Sequence, residues 1–368
     1  MQIPFINLQP QYQSIQQEID TAFRSVFEAS YFIGGEVVSK FEKEFAQAYH
    51  QKHCIGTGNG TDALFITLKA LGIGPGDEVI TPAFSCIASA ETISLTGARA
   101  VFADVETDTY TLDLRDVQRK ISSKTKAVIA VHLYGQAAAV SELKKVCDQQ
   151  KIWLIEDCAQ AHLTEENKNL AGTVGIAAAF SFYPTKNLGA YGDAGCILTS
   201  DDKLAEKMRR LGNHGALKKD DHTLEGSNSR LDAIQAAVLS VKLKYLVVWN
   251  ARRIQHAKRY TSLLSNISGV QTPVVRANTT HTFHIYAIRT QQRNELKEFL
   301  ASHGVETMIH YPKGLPFTEA YSFLHHSLTD FPVTAQLQDQ LLSLPIYPEL
   351  TEDSLTYIAE KIRLFFSR

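Results

Sequence analysis

Lys186 stands in the run Phe180-Ser181-Phe182-Tyr183-Pro184-Thr185-Lys186-Asn187-Leu188-Gly189-Ala190-Tyr191-Gly192-Asp193-Ala194-Gly195, where a short apolar stretch opens into a glycine-punctuated loop. A lone lysine is usually a solvated surface charge, but an amine carried on such a loop can reach into a cleft. Upstream, Ile155-Glu156-Asp157-Cys158-Ala159-Gln160-Ala161-His162 reads as an apolar strand running out into acidic and polar residues at its carboxyl end, where open α/β sheets place ligands. A buried carboxylate needs a cationic partner, and a pyridinium nitrogen would be one. Read alone, Asp157 is more simply a helix cap. Further upstream, Ile55-Gly56-Thr57-Gly58-Asn59-Gly60-Thr61-Asp62 is a glycine turn entering a helix, which offers free N–H groups to an anion. It reads equally as a flexible turn with Thr61 or Asp62 as the cap. A dinucleotide fingerprint from Gly56 would need glycine where Thr61 stands. Glycine turn, acidic strand end and Ser-x-x-x-x-Lys, in that order, are what a phosphate, a pyridine nitrogen and an aldehyde would require of one sheet.

Those residues need elements to hold them. Short apolar runs at Glu78 to Thr81, Ala100 to Ala103, Ala127 to His132, Trp153 to Glu156, Ala178 to Phe182 and Cys196 to Thr199 predict strands. Between them, Thr61 to Leu71, Asp113 to Ile121, Ser141 to Gln149 and Asp202 to Leu211 predict helices, each starting near a residue able to cap it. The alternation predicts an α/β domain with a mainly parallel sheet. From Ser229 to Leu264, Leu231, Ile234, Ala237, Val238, Val241 and Tyr245 keep a helical period with no glycine or proline, predicting one long connecting helix. Beyond it, a strand at Thr282 to Arg289, a helix at Arg293 to His303 ended by Gly304 and a strand at Val305 to His310 predict a smaller α+β unit. The expected division is residues 1–245 as a large domain and residues 246–368 as a small one, with the N-terminal segment free to contribute to the substrate cleft.

A chain of 368 residues exceeds what one core usually organises. Its 37 basic and 39 acidic residues leave a formal charge of −2, so no broad positive field exists for nucleic acid or an anionic membrane. No apolar run is long enough to span a bilayer, and Met1-Gln2-Ile3-Pro4-Phe5-Ile6 does not open a signal sequence. Five cysteines, none at C-x-x-C spacing, predict free thiols in a reducing cytoplasm and no metal site.

Taken together, GNGTDAL (58–64), GIGPGDEVITP (72–82), LIEDCAQAH (154–162), FSFYPTKNLGAYGDAG (180–195) and NSRLDAIQAAVL (228–239) closely resemble the DegT/DnrJ/StrS family of nucleotide-sugar aminotransferases, which have the fold-type-I architecture. The resemblance implies pyridoxal 5'-phosphate held by Lys186 as a Schiff base, with pyridoxamine phosphate as its aminated form. It implies Asp157 at the pyridine nitrogen, Gln160 near O3′, and Gly60, Thr61 and Ser181 at the phosphate. Asn228 would reach the phosphate of a neighbouring subunit, implying a homodimer with shared active sites. His310, Tyr311 and Tyr183 are the implied substrate contacts. The implied reaction moves nitrogen from glutamate to a nucleotide-linked keto sugar, most similar to C3 amination of a dTDP-3-keto-6-deoxyhexose. UDP-linked 3-keto sugars and 4-keto sugars stay open.

Two departures stand out. Thr164 to Asn169 differs from the family's glycine-containing turn, and Cys86 stands where an aromatic ring usually covers the pyridine. Phe84, two residues earlier, is the other candidate for that face. Competing readings are a non-catalytic pyridoxal-phosphate-binding regulatory protein, against which the retained Lys186, Asp157, Gln160, Ser181 and Asn228 speak, and a dehydratase, which would carry histidine in place of Lys186.

Overall fold

Runs such as Ala127-Val128-Ile129-Ala130-Val131 are apolar on both faces and make stable strands only where helices cover both sides of the sheet. A computed structural model of the protein describes residues 1–367. Helices α1 (Gln9–Ala29) and α2 (Gly35–Ala48) precede β1 (His53–Thr57), α3 (Gly60–Ala70), β2 (Glu78–Pro82), α4 (Ala88–Leu95), β3 (Arg99–Ala103), α5 (Leu114–Lys120), β4 (Thr125–Val131), α6 (Val140–Gln150) and β5 (Trp153–Asp157). A hairpin of β6 (Glu165–Glu166) and β7 (Asn169–Leu170) leads into β8 (Ala177–Ser181), β9 (Gly195–Thr199) and α7 (Asp202–Gly212). Then come α8 (Ala233–Leu243), α9 (Leu246–Leu264), β10 (Thr279–Thr280), β11 (Tyr286–Arg289), α10 (Arg293–Ser302), α11 (Pro332–Gln340), β12 (Leu341–Leu344) and α12 (Glu352–Phe366).

The main sheet runs β1-β9-β8-β5-β4-β2-β3, with β9 alone antiparallel to the rest. Alternation along β4 sends Ile129 into the core beneath α3 and α4, and Val128 and Ala130 into the core with Leu143 of α6. The N-terminal helices close the β9 end: Phe41 and Phe45 of α2, four apart on one face, meet Phe182 and Phe180 edge-on at 5.4 and 5.1 Å. Near the C-terminus, β11 pairs antiparallel with β12 under α9, α10 and α12, with Tyr260, Leu264, Leu300 and Ile358 buried between them. Ile3 belongs to that same core, its N–H donating to Gly304 O at 2.8 Å. No helix among the described residues is long and apolar enough to cross a membrane.

Three expectations need correction. The helix expected over 229–264 is two helices broken at Lys244 and Tyr245. Just before the break Lys242 turns inward to Gly189 O, while Tyr245 stacks on Trp249 and donates its hydroxyl to Glu18. These anchors redirect the chain without glycine or proline. The strand expected at Val305 to His310 is a pair of isolated bridges, because Val305 pairs with Ile3 and Met308 with Ser343 of β12, so no one partner extends a ladder. Finally, α6 has no side-chain cap: Ser141 lies inside it and donates to Glu166.

Candidate active site

The carboxyl ends of β1, β4, β5 and β8 meet at one edge of the sheet. Ser181 pairs with Gly195, which also pairs with Thr57, while Asp157 lies between Val131 and Ala179. A cavity of about 240 Å³ opens there. Its walls bring together Gly60, Thr61, Cys86, Asp157, Gln160, Ser181, Tyr183 and Lys186, all singled out from the sequence.

At one end lies the start of α3. The cap is Asn59, not Thr61 or Asp62: its Oδ1 accepts from Asp62 N at 2.8 Å, and Asp62 in turn accepts from Ser229 Oγ at 2.6 Å. That leaves the backbone of Gly60 and Thr61 facing the cavity at the positive end of the helix. The cradle is closely built. A Cβ on Gly60 would fall 2.7 Å from Ser181 Cβ, and one on Gly195 would fall 2.4 Å from Asn59 C.

Asp157 occupies another wall. Burial pushes its carboxyl up, against the Ala159 N–H at 3.0 Å, Lys186 and His132, which stabilise the charged form. Burial likewise pulls the Lys186 amine below the usual lysine range, opposed by Cys86 and Asp157. The neighbouring histidines are held neutral: burial first, then Lys186, brings His162 to about 3 and His310 to about 4. Lys186 is therefore a desolvated amine beside one carboxylate, a setting that activates lysine toward carbonyl carbon.

The lysine loop is closed at its base by Ala190 N donating to Phe182 O at 2.8 Å, and near its tip by Lys186 N donating to Tyr183 O at 2.8 Å. Asn187, which sequence reasoning passed over, donates to Asn250 Oδ1 at 2.8 Å and Thr282 O at 3.1 Å, fastening the loop to α9. Behind Asp157, buried Glu156 accepts from Gly172 N, Val174 N and Gly175 N at 2.7–2.8 Å and bonds His132 at 3.0 Å. His132, Glu156 and Cys158 are close enough to hold an ion. However, both Glu156 oxygens are engaged and His132 Nδ1 accepts from Ala138 N, so their lone pairs serve the fold.

The expected substrate contacts divide. Tyr183 is exposed on the cavity wall. Tyr311 receives a hydrogen bond from Gln160 Nε2 at 3.0 Å, and His310 shares one with Ser343 at 2.9 Å. Gln160 also accepts from Tyr134 N at 2.7 Å, and the Tyr134 hydroxyl donates to His310 O, so one tyrosine ties both segments. Tyr134 was missed, though His132-Leu133-Tyr134-Gly135-Gln136 repeats the polar strand-end signal of Asp157. Cys86 is exposed on the cavity wall, whereas Phe84 is fully buried and meets Tyr311 edge-on at 6.2 Å. Asn228 is exposed, bridges Asn213, and does not line this chain's cavity.

A desolvated amine, a buried carboxylate and the amino end of a helix share one cavity of a mainly parallel sheet, an arrangement suited to a phosphate-bearing cofactor. Residues 13–363 match the DegT/DnrJ/EryC1/StrS aminotransferase family, and the chain belongs to it. It is similar to a pleiotropic regulatory protein of Geobacillus stearothermophilus, 43% identical over 100% of this chain and 99% of the relative. It is also similar to the dTDP-3-amino-3,4,6-trideoxy-alpha-D-glucose transaminase of Streptomyces venezuelae, 38% identical over 100% of this chain and 97% of that one. The crystal structure of S. venezuelae DesV in complex with a ketimine intermediate superposes with a TM-score of 0.98 at 38% identity, covering 100% and 99% of the two chains. The protein is thus a pyridoxal 5'-phosphate-dependent aminotransferase. The cavity suits that cofactor: the cradle that a Cβ would fill has room for a phosphate, and buried Asp157 would gain from a ring cation beside it.

Proposed function

We propose that the enzyme moves the amino group of glutamate onto C3 of a dTDP-linked 3-keto-6-deoxyhexose, with Lys186 as the residue that carries the cofactor. The observation that carries this reading is the shared cavity: desolvated Lys186 and buried Asp157 face each other's charge, and the glycine end of α3 opens into the same space. The 38% identity to a dTDP-3-amino sugar transaminase over the whole chain supports the sugar. The bound cofactor supplies an electron-withdrawing ring and a carbon that carries nitrogen between the two half-reactions. Asp157 would keep the ring nitrogen protonated. Gln160 would bond the ring hydroxyl, and Gly60, Thr61 and Ser181 would hold the phosphate. Cys86, on the cavity wall, would cover the ring face. Lys186 Nζ would serve as the base that removes and returns the proton at the substrate carbon. Tyr183, His310 and Tyr311 frame the entry of the sugar.

The working unit is a homodimer in the cytoplasm, in which Asn228 completes the phosphate site of the partner. Exposed Phe27, Tyr31, Phe32, Ile33 and Leu217 give it an apolar surface to bury. Residues 1–245 form the large domain and residues 246–368 the small one, with Ile3 tied into the small-domain core. The test is a panel of dTDP- and UDP-linked 3- and 4-keto sugars assayed with glutamate, alongside the visible band of the protein. Bleaching by glutamate and product only from a dTDP-linked 3-keto sugar are expected. Turnover restricted to a UDP-linked or 4-keto sugar overturns the substrate assignment, and a colourless, covalently unlabelled Lys186 overturns the site.

A further inference from the structure

Lys242 sits on α8 with 1% of its surface exposed, outside the cavity lining, and no carboxylate forms an ion pair with it among the described residues. Burying an ammonium that way costs stability unless its hydrogens are satisfied. They are directed at one place. Nζ donates to Gly189 O at 2.7 Å and lies 4.2 Å from the centroid of the Tyr191 ring, two residues further along the lysine loop. Gln235, two turns earlier on the same face of α8, accepts from Tyr191 N at 2.9 Å. Gly189 is also where the loop crosses itself, since a Cβ there would fall 2.2 Å from Pro184 O.

We infer that Lys242 is a positioning residue for the amine of Lys186: its ammonium fixes the Gly189 carbonyl and the Tyr191 ring, and so sets where the loop tip presents Lys186. The inference rests on the reading that Lys186 carries the cofactor. Burial pushes the Lys242 amine down to about 8, with Glu349 opposing the shift, which fits a charge retained against its surroundings. A side chain kept only for packing would do better as methionine, which fills the volume and needs no partners. Loop placement gives the charge a purpose.

The test uses the full-length chain stripped of cofactor and titrated with pyridoxal 5'-phosphate by fluorescence quenching, with the visible spectrum recorded and melting temperature followed in parallel. Borohydride reduction and peptide mapping of the unmodified protein come first. A label away from Lys186 overturns the parent reading and this inference with it. With the label on Lys186, Lys242→Met is expected to melt no lower than the parent while binding the cofactor about tenfold more weakly, the loss of one charge-assisted hydrogen bond, with a displaced visible band. Lys242→Arg, which keeps charge and donors, is expected to restore most of that affinity. Should Lys242→Met not fold, Tyr191→Leu removes the ring under the ammonium and is expected to weaken binding in the same direction. Unchanged affinity and spectrum in a folded Lys242→Met, or in Tyr191→Leu, overturn the inference while leaving Lys186 in its role.

Discussion

At the scale of single residues, the site rests on two groups whose burial works against their charge. Asp157 is pushed up and Lys186 down, each relieved by the other, so neither can be exchanged for a neutral look-alike without consequence. Asp157→Asn keeps the hydrogen-bond geometry but cannot hold a ring nitrogen protonated. It is expected to melt like the parent and to lose about a hundredfold or more in kcat, the scale of removing one aimed electrostatic partner. Near-parental turnover would remove Asp157 from the mechanism. Cys86→Phe restores a ring where the chain has a thiol on the cavity wall. Equal or tighter cofactor binding in an equilibrium titration is the expected result, and a steric loss of binding would show that the face is covered otherwise. Lys186 and Asp157 were legible because each stands where a strand's apolar run turns polar. Tyr134 carried the same signal and was overlooked. Asn187 gave none beyond its neighbour, since its partners Asn250 and Thr282 are distant in sequence and converge only in the fold.

At the scale of elements, the strands of the main sheet from β2 onward were legible because each is a largely buried apolar run, and β4 alternates between two cores. The first strand escaped notice: His53-Cys54-Ile55-Gly56-Thr57 is short, lies at an edge and ends in glycines. The break between α8 and α9 was invisible for a different reason, because it is imposed by tertiary anchors on Lys242 and Tyr245 and not by a helix-breaking residue. Glu156 shows how one side chain can organise an element. Burial alone would raise its carboxyl, but His132 and the N–H groups of Gly175 and Gly172 hold it below the usual carboxylate range. A lowered folded value means that its contribution is present above the unfolded value and lost as the pH falls through the folded one. Glu156→Gln is expected to cost roughly 2–4 kcal/mol at neutral pH, with the gap to the parent narrowing below about pH 4.3. Chemical denaturation at a series of pH values checks both statements; a gap independent of pH would refute the ionised role. Gly195→Ala tests the crowding between β9 and the glycine turn. A Cβ 2.4 Å from Asn59 C forces the backbone apart, and a loss of about 1–3 kcal/mol in denaturant unfolding is expected.

At the scale of the whole molecule, the proposed homodimer gives the exposed Asn228 its role across the subunit boundary. Mixing Lys186→Ala with Asn228→Ala subunits gives hybrid dimers holding one intact site and one doubly impaired site. With free exchange, half the dimers are hybrids, so about a quarter of the parent activity is expected from two inactive preparations. Proven exchange with no activity would refute a shared site. A last consequence concerns synthesis on the ribosome. Strand β1 precedes the glycine turn on the cavity wall, yet it pairs within the sheet only with β9, and β9 follows the lysine loop in the chain. A nascent chain that has emerged through Ala190 already holds Gly60, Asp157 and Lys186, but β1, though packed on α2, still lacks its only strand partner. The strand encoded first therefore joins the sheet last, and until β9 is made its backbone N–H and C=O groups wait for a strand to pair with.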